Sequence, residues 1–344
     1  MKSLPPKFKN PRARHNFQGR SVSIVAVGSY VPERVLTNAD FEQIVNTTDE
    51  WITTRTGIKE RRIAAKHECT SDLAAKAAAR AMERAKITAE EIDLIVLATI
   101  TPDMPFPSTA CMVQEKIGAH RAIAFDIQAA CSGFVYGLEV GQQFIMSRSY
   151  ETALVIGAEK LSSIINWSDR STCVLFGDGA GAAILRHRPN AQGLLTACLG
   201  SDGSRASLLC MPGGGSICPP THESLASGMH YLRMDGKETF KSAVTAMHKA
   251  AREALRRCEL DITQIRCIIP HQANRRIIDA VAERLGATTD QVFVNLHKYG
   301  NTSAASVAIA LDDAVQSGHI QRGDLILLIV FGAGLTWGAA VIEW

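Results

Sequence analysis

AAARAMERAKITAEEIDLIVL, residues 77–97, comes back in altered form as KAAREALRRCELDITQIRCII, residues 249–269. Both stretches open on Ala and Arg, good helix formers, turn through a polar segment and close on an apolar run. IDLIVL and IRCII suit strands covered on both faces. A second pair echoes in the same order. FGDGAGAAIL (176–185) and FGAGLTWGAAVI (331–342) each run from Phe-Gly through a small-residue loop into an apolar strand. Two echoes in one order predict a fold made of two duplicated halves. The halves span 21–190 and 191–344, behind a basic tail at 1–20. The seam falls near RHRPNAQG (186–193), where polar residues gather with Pro, Asn and Gly.

Outside the echoes, SIVAVGSYV (23–31), AIAFDIQ (122–128), TALVIGAE (152–159) and DLILLIVFG (324–332) read as further buried strands. Helical stretches such as SDLAAKAAARAMERA (71–85) lie between strands, so the class is α/β. The length, 344 residues, exceeds what one core usually serves. A formal charge of +3 is too small to imply nucleic acid. The nine cysteines are scattered, without C-x-x-C or a zinc-like spacing to His, so neither a disulfide framework nor a structural metal is expected. Free thiols suit a reducing, cytoplasmic setting. The first twenty residues carry six Lys or Arg and no acid, and read as a disordered basic extension. No apolar run reaches the ~18 residues of a membrane span.

Three positions could carry chemistry. Cys131, in AACSGF (129–134), follows a strand and precedes a helical stripe of Phe134, Leu138, Gly141 and Ile145. Free N–H groups and the dipole at a helix start favour thiolate; a buried core cysteine is the alternative. His271 ends the strand RCIIP (266–270), before a helix marked by Ile277, Val281 and Leu285, and equally suits a capping role. Asn301, in KYGNTSAAS (298–306), reads as a turn or N-cap unless it converges with the other two. FGDGAG could be a nucleotide loop, but a strand follows it where that motif requires a helix.

TTDEWITTRTGIKERRIA (47–64), DIQAACSGF (126–134), DRSTCVLFGDGAGAAIL (169–185), IIPHQANRRI (268–277), KYGNTSAAS and FGAGLTWGAA (331–340) together resemble β-ketoacyl-acyl carrier protein synthase III, of the thiolase-like superfamily. The resemblance runs from about Val22 to the C-terminus, with a variable loop at 210–228. It implies a five-layer α/β/α/β/α fold from two duplicated halves, in a cytoplasmic homodimer. It implies an acyltransferase that starts type II fatty acid synthesis without a cofactor or metal. The substrates would be a short acyl-CoA, such as acetyl-CoA, and malonyl-acyl carrier protein, with no nucleic acid or membrane partner. Cys131 would carry the acyl group, and His271 and Asn301 would polarise an enolate. The backbone N–H groups of Cys131 and Ala333 would hold an oxyanion. Ala333 stands where many relatives have Gly, and Leu335 where they have Phe. Thr47, Trp51, Arg55, Arg170, Gly236 and Asn274 would line the CoA and pantetheine path. Phe331 and Leu335 would bound the primer pocket, capped by Phe106 of a partner subunit. Lys241 and Arg276 would dock the carrier protein.

One further feature stands on spacing alone. Lys237, Lys241, His248, Arg252 and Arg256 form one helical stripe beside Val244, Met247 and Ala251. It is either a solvated face or a surface for an acidic partner. Asn301, where an elongating synthase has a second His, disfavours elongation. A hydroxymethylglutaryl-CoA synthase needs a catalytic Glu, for which no candidate stands out near the triad. A secondary-pathway synthase with a different primer is the nearest rival. A non-catalytic paralogue would not need the three site residues.

Overall fold

Each echoing stretch folds as helix, turn and strand. The Thr70–Ala85 helix ends at Lys86 (φ 55°) and the Gly236–Cys258 helix at Glu259 (φ 56°). Both ends use a left-handed residue where Gly is commonest. A 3₁₀ turn follows each, Ala89–Glu91 and Ile262–Gln264, closed by a capping box from Thr88 and Glu91 or from Asp261 and Gln264. The strands Leu94–Ala98 and Cys267–Pro270 come next. The echo is stricter in space than in sequence. The computed structural model describes residues 21–147, 149–188 and 193–344. The basic tail at 1–20 and part of the seam, 189–192, lie outside the described residues.

Two sheets form. The five-stranded sheet runs Val22–Tyr30, Gly179–His187, Thr152–Glu159, Leu94–Ala98, Ile123–Ile127. The four-stranded sheet runs Leu194–Ser201, Thr336–Glu343, Leu325–Gly332, Cys267–Pro270. Orientations match: Leu94–Ala98 is parallel to Thr152–Glu159, as Cys267–Pro270 is to Leu325–Gly332. The remaining first-to-second and second-to-third pairings are antiparallel in both sheets. A single parallel bridge from Ile268 to Val292 stands where the fifth strand would be.

Helices Gly133–Met146 and Ala305–Gln316 lie between the sheets and share one core with strands of both, including Val96, Val155, Leu328 and Val330. Thr70–Ala85 covers the outer face of the first sheet and Gly236–Cys258 that of the second. This is the expected five-layer α/β/α/β/α order. Backbone packs on backbone at the centre: a Cβ on Gly157 would lie 2.4 Å from the Ala304 carbonyl oxygen. FGDGAG leads into the strand Gly179–His187, and buried Asp178 is used structurally, accepting from Ala64 N–H and Ser162 N–H. The loop at 210–228 contains a short helix, His222–Ala226.

One strand departs from expectation. Ile123–Ile127 was read as covered on both faces, yet none of its residues is fully buried and Ile123 is 41% exposed. It is the sheet's edge, so one side lacks a pairing neighbour within the described chain.

Candidate active site

Cys131 sits in the 3₁₀ turn Ala130–Ser132 that feeds the Gly133–Met146 helix. The Leu325–Gly332 strand comes close: a Cβ on Gly332 would lie 2.8 Å from Cys131 N and 3.0 Å from Ser132 N. Only Gly permits that approach. Thr336 Oγ1 donates to the Ala129 carbonyl at 2.9 Å and lies 3.1 Å from the Ala333 carbonyl, tying the 333–335 turn to the Cys131 turn. The helix start is where the sequence placed it, but its predicted effect on the thiol is overridden. Burial pushes Cys131 up to about 12, the nearby Ser303 hydroxyl opposes this, and the Glu159 charge adds to it. Cys131 therefore rests as a neutral thiol, because desolvation outweighs the local backbone field.

His271 anchors its backbone N–H on the Ile329 carbonyl at 2.7 Å and places Nδ1 2.6 Å from Ser306 Oγ. That contact leaves Nε2 for a ligand. Burial drives the imidazole down to about 3, so it is neutral. Asn301 precedes the Ala305–Gln316 helix as Cys131 precedes its own helix. Its Oδ1 accepts the Ser303 N–H at 2.9 Å, which leaves Nδ2 to donate. Ala130 (φ 46°) and Ser303 (φ 49°) are left-handed non-glycine residues in these two corresponding turns. Cys131, His271 and Asn301 line one cavity of about 650 Å³, together with Phe331 and Gly332.

Trp51, Arg55, Gly236, Lys241, Asn274 and Arg276 line the same cavity. Arg55 and Arg170 hold their guanidinium carbons 4.8 and 4.6 Å from the Trp51 ring centre. Asn274 caps the Arg275–Leu285 helix, accepting from Arg276 N–H at 2.9 Å and donating to the Arg55 carbonyl at 3.1 Å. It therefore joins the two walls of the mouth. Thr47, Arg170, Ala333 and Leu335 lie outside the cavity lining. The Thr47 hydroxyl is buried without a hydrogen-bond partner among the described residues. Leu335 is buried behind Phe331 in the outer core. Phe106 is 84% exposed and far from covering this chain's own cavity wall.

Sequence reasoning missed three residues. Ser306 orients His271, and Ser303 connects Asn301 to a buried carboxyl, Glu159, beside Cys131. Glu159 does not line the cavity, so it is not placed as the substrate-facing glutamate that a hydroxymethylglutaryl-CoA synthase needs. Its signal was a charged residue closing the otherwise apolar strand TALVIGAE. Among the described residues no cluster of His, Cys, Asp or Glu is placed to hold a metal ion, and no helix is long and apolar enough to cross a membrane.

Residues 125–203 match the family described as 3-Oxoacyl-[acyl-carrier-protein (ACP)] synthase III, and residues 255–344 its C-terminal part. A β-ketoacyl-[acyl-carrier-protein] synthase III of Caldanaerobacter subterraneus subsp. tengcongensis is 56% identical over 324 residues, covering 94% of this chain and 98% of the relative. The crystal structure of 3-oxoacyl-[acyl-carrier-protein] synthase III from Aquifex aeolicus superposes with a TM-score of 0.88 at 48% identity, covering 94% of this chain and all of that one. The priming β-ketosynthase of the R1128 polyketide biosynthetic pathway superposes at 0.87 with 37% identity, covering 94% and 96%.

Proposed function

This chain belongs to the 3-oxoacyl-[acyl-carrier-protein] synthase III family, and we propose how its cavity performs that family's reaction. It is a condensing acyltransferase that initiates fatty acid synthesis, joining an acyl-CoA primer to malonyl-acyl carrier protein with loss of CO2. The reading is carried by one observation: Cys131, His271 and Asn301, from three separate elements, face one cavity whose mouth holds Trp51, Arg55 and Arg276.

The primer is a short acyl-CoA, acetyl-CoA first among them. Its adenine stacks at Trp51 with Arg55 and Arg170 supplying planar cations. The pantetheine passes Gly236 and Asn274, and Thr47, outside the cavity lining, flanks that path. The Cys131 sulfur attacks the thioester carbon, the new C–S bond forms and CoA leaves. Malonyl-acyl carrier protein then docks through Lys241 and Arg276 and loses CO2. The enolate oxygen takes hydrogen bonds from Nδ2 of Asn301 and Nε2 of His271. For His271 to donate from Nε2, its Nδ1 has to accept from the Ser306 hydroxyl. The enolate carbon attacks the acyl-Cys131 carbonyl, whose oxyanion sits between the Cys131 and Ala333 N–H groups. Neutral His271 suits this role, because an enolate needs donors and not a proton.

Phe331 bounds the acyl end with Leu335 packed behind it, and the partner's Phe106 closes it in a homodimer. The duplicated halves are 21–190 and 191–344. The enzyme works in the cytoplasm and needs no cofactor beyond its substrates. A second reading, a primer other than acetyl for a secondary pathway, is favoured by the 37% identical priming ketosynthase. Incubation with radiolabelled acetyl-CoA tests the main reading. Covalent label on wild type and none on Cys131→Ala is expected; an unlabelled wild type, or label that survives the substitution, overturns it.

A further inference from the structure

Glu159 ends the Thr152–Glu159 strand with its carboxyl fully buried, and the mechanism above does not use it. Its two oxygens differ. Oε2 accepts from Thr101 Oγ1 at 2.7 Å, Thr99 Oγ1 at 3.1 Å and the Ile100 N–H at 3.1 Å. Oε1 meets the Ser303 hydroxyl at 3.0 Å and no other donor among the described residues. Ser303 is fixed by its own N–H bond to Asn301, and its hydroxyl also acts on the Cys131 sulfur. A carboxyl with three donors on one oxygen takes its proton on the other. On Oε1 that proton can point only at Ser303 Oγ, whose own hydrogen then turns toward the sulfur.

We propose that Cys131 and Glu159 share one proton across Ser303, so that the thiolate forms by internal transfer. The proposal deepens the synthase reading and rests on it. The S–H bond breaks and its hydrogen passes to Ser303 Oγ. The hydrogen that Ser303 held passes to Glu159 Oε1, and the negative charge moves from carboxylate to sulfur. Glu159 keeps the proton while Cys131 is acylated, and the departing CoA takes its proton from solvent. When condensation expels the Cys131 thiolate, the transfer reverses. Glu159 touches neither substrate nor sulfur; it acts through Ser303.

The electrostatics agree. Burial raises Glu159 to about 7 and lowers His271 to about 3, so Glu159 holds a proton far better than the histidine. A thiolate beside an ionised, equally buried carboxylate is costly, which couples the two sites. The titratable groups near Glu159 include Cys131, the adjacent Lys160 and buried Asp178, one residue before Glu159's cross-strand partner Gly179. The Lys160 backbone N–H goes to Thr101 Oγ1, and its ammonium bonds the carbonyls of Ala65 and Glu68.

Alkylation by iodoacetamide, with modification of Cys131 followed by peptide mass spectrometry from pH 5.5 to 9, tests the coupling. In wild type the rate is expected to rise about tenfold per pH unit up to about 7 and then level, because thiolate and resting pair hold the same number of protons. In Glu159→Gln and Ser303→Ala the rise is expected to continue through 7 at about tenfold per unit. A structural role alone would scale the whole profile and leave its shape. A wild-type profile without the plateau, or a plateau that survives Glu159→Gln, overturns the proposal. Ser303→Ala removes a single oxygen and carries the test if the glutamate variant does not fold. Iodoacetamide needs no acyl-CoA, so failure of the shared proton is distinguishable from failure of the radiolabelled acetyl-CoA experiment.

Discussion

With Oδ1 committed to the Ser303 N–H, Asn301 can present only Nδ2 to the cavity. An amide in that position polarises and does not transfer protons. Asn301→Ala is therefore expected to slow release of labelled CO2 from malonyl-acyl carrier protein by about 10²–10³-fold. Acetyl transfer to Cys131 should fall by less than about tenfold, since that step does not form the enolate. Equal loss of both would refute the division of roles. His271 also predicts an effect on stability. Its folded value, about 3, lies below its unfolded value of about 6.5. The unfolded chain thus binds a proton that the folded protein refuses, and stability falls as pH drops through 6.5 toward 3. Glu159 acts oppositely, because its folded value is raised; the folded protein binds the extra proton between about 7 and 4.5. A difference measurement separates them. Unfolding free energies from urea titration of His271→Asn against wild type should move in the variant's favour by about 1.4 kcal/mol per pH unit between 6.5 and 4.5.

The Gly236–Cys258 helix connects the cavity to the outside. Gly236, Thr239, Phe240 and Lys241 at its start line the cavity, as do Ala243 and Met247 further on, while Val244, Ala251 and Leu255 bury in the core of the second sheet. The basic stripe faces outward, apart from half-buried His248. Two of its members have local acids: Lys241 with Glu238 at 2.7 Å, and Arg256 with Glu253 at 2.8 Å. Such exposed pairs hold little energy and yield to a stronger acidic partner. Lys241→Glu with Arg276→Glu is expected to raise KM for malonyl-acyl carrier protein at least about tenfold, and to raise KM for acetyl-CoA by less. Added salt should shrink that gap. At this scale the sequence was readable wherever a pattern is local. Phe134, Leu138, Gly141 and Ile145 all proved buried on one helix face. Glu159 was not readable, because its meaning comes from Ser303, 144 residues away. The choice between thiolate and buried thiol at Cys131 stays open in the sequence for a related reason: a helix start is visible there, whereas burial depth depends on Gly332 and the opposite sheet closing over it.

The echo between residues 77–97 and 249–269 foretold paired sheets, but pairing two sheets in one chain leaves an edge on each. Ile123–Ile127 is joined to the Thr109–Ile117 helix, whose first N–H groups, Thr109 and Ala110, are fixed by Asp126 at 2.7 Å. Phe106 stands just before that helix, almost fully exposed. A bare sheet edge and a bare aromatic on one flank suit a second copy of this chain. In the proposed homodimer, each Phe106 serves the other chain's cavity. Phe106→Ala is then expected to raise kcat/KM for octanoyl-CoA relative to acetyl-CoA by at least about tenfold, from relief of the steric cap. Mixed dimers decide whether it acts across the interface. When Phe106→Ala is paired with a Cys131→Ala partner, the only working nucleophile faces an intact Phe106, and preference for acetyl should persist. When both substitutions sit on one chain opposite wild type, the working nucleophile faces the truncated side chain, and longer primers should be accepted. The reverse assignment would place Phe106 in its own chain's pocket, and equal preference in both mixtures would remove it from primer selection.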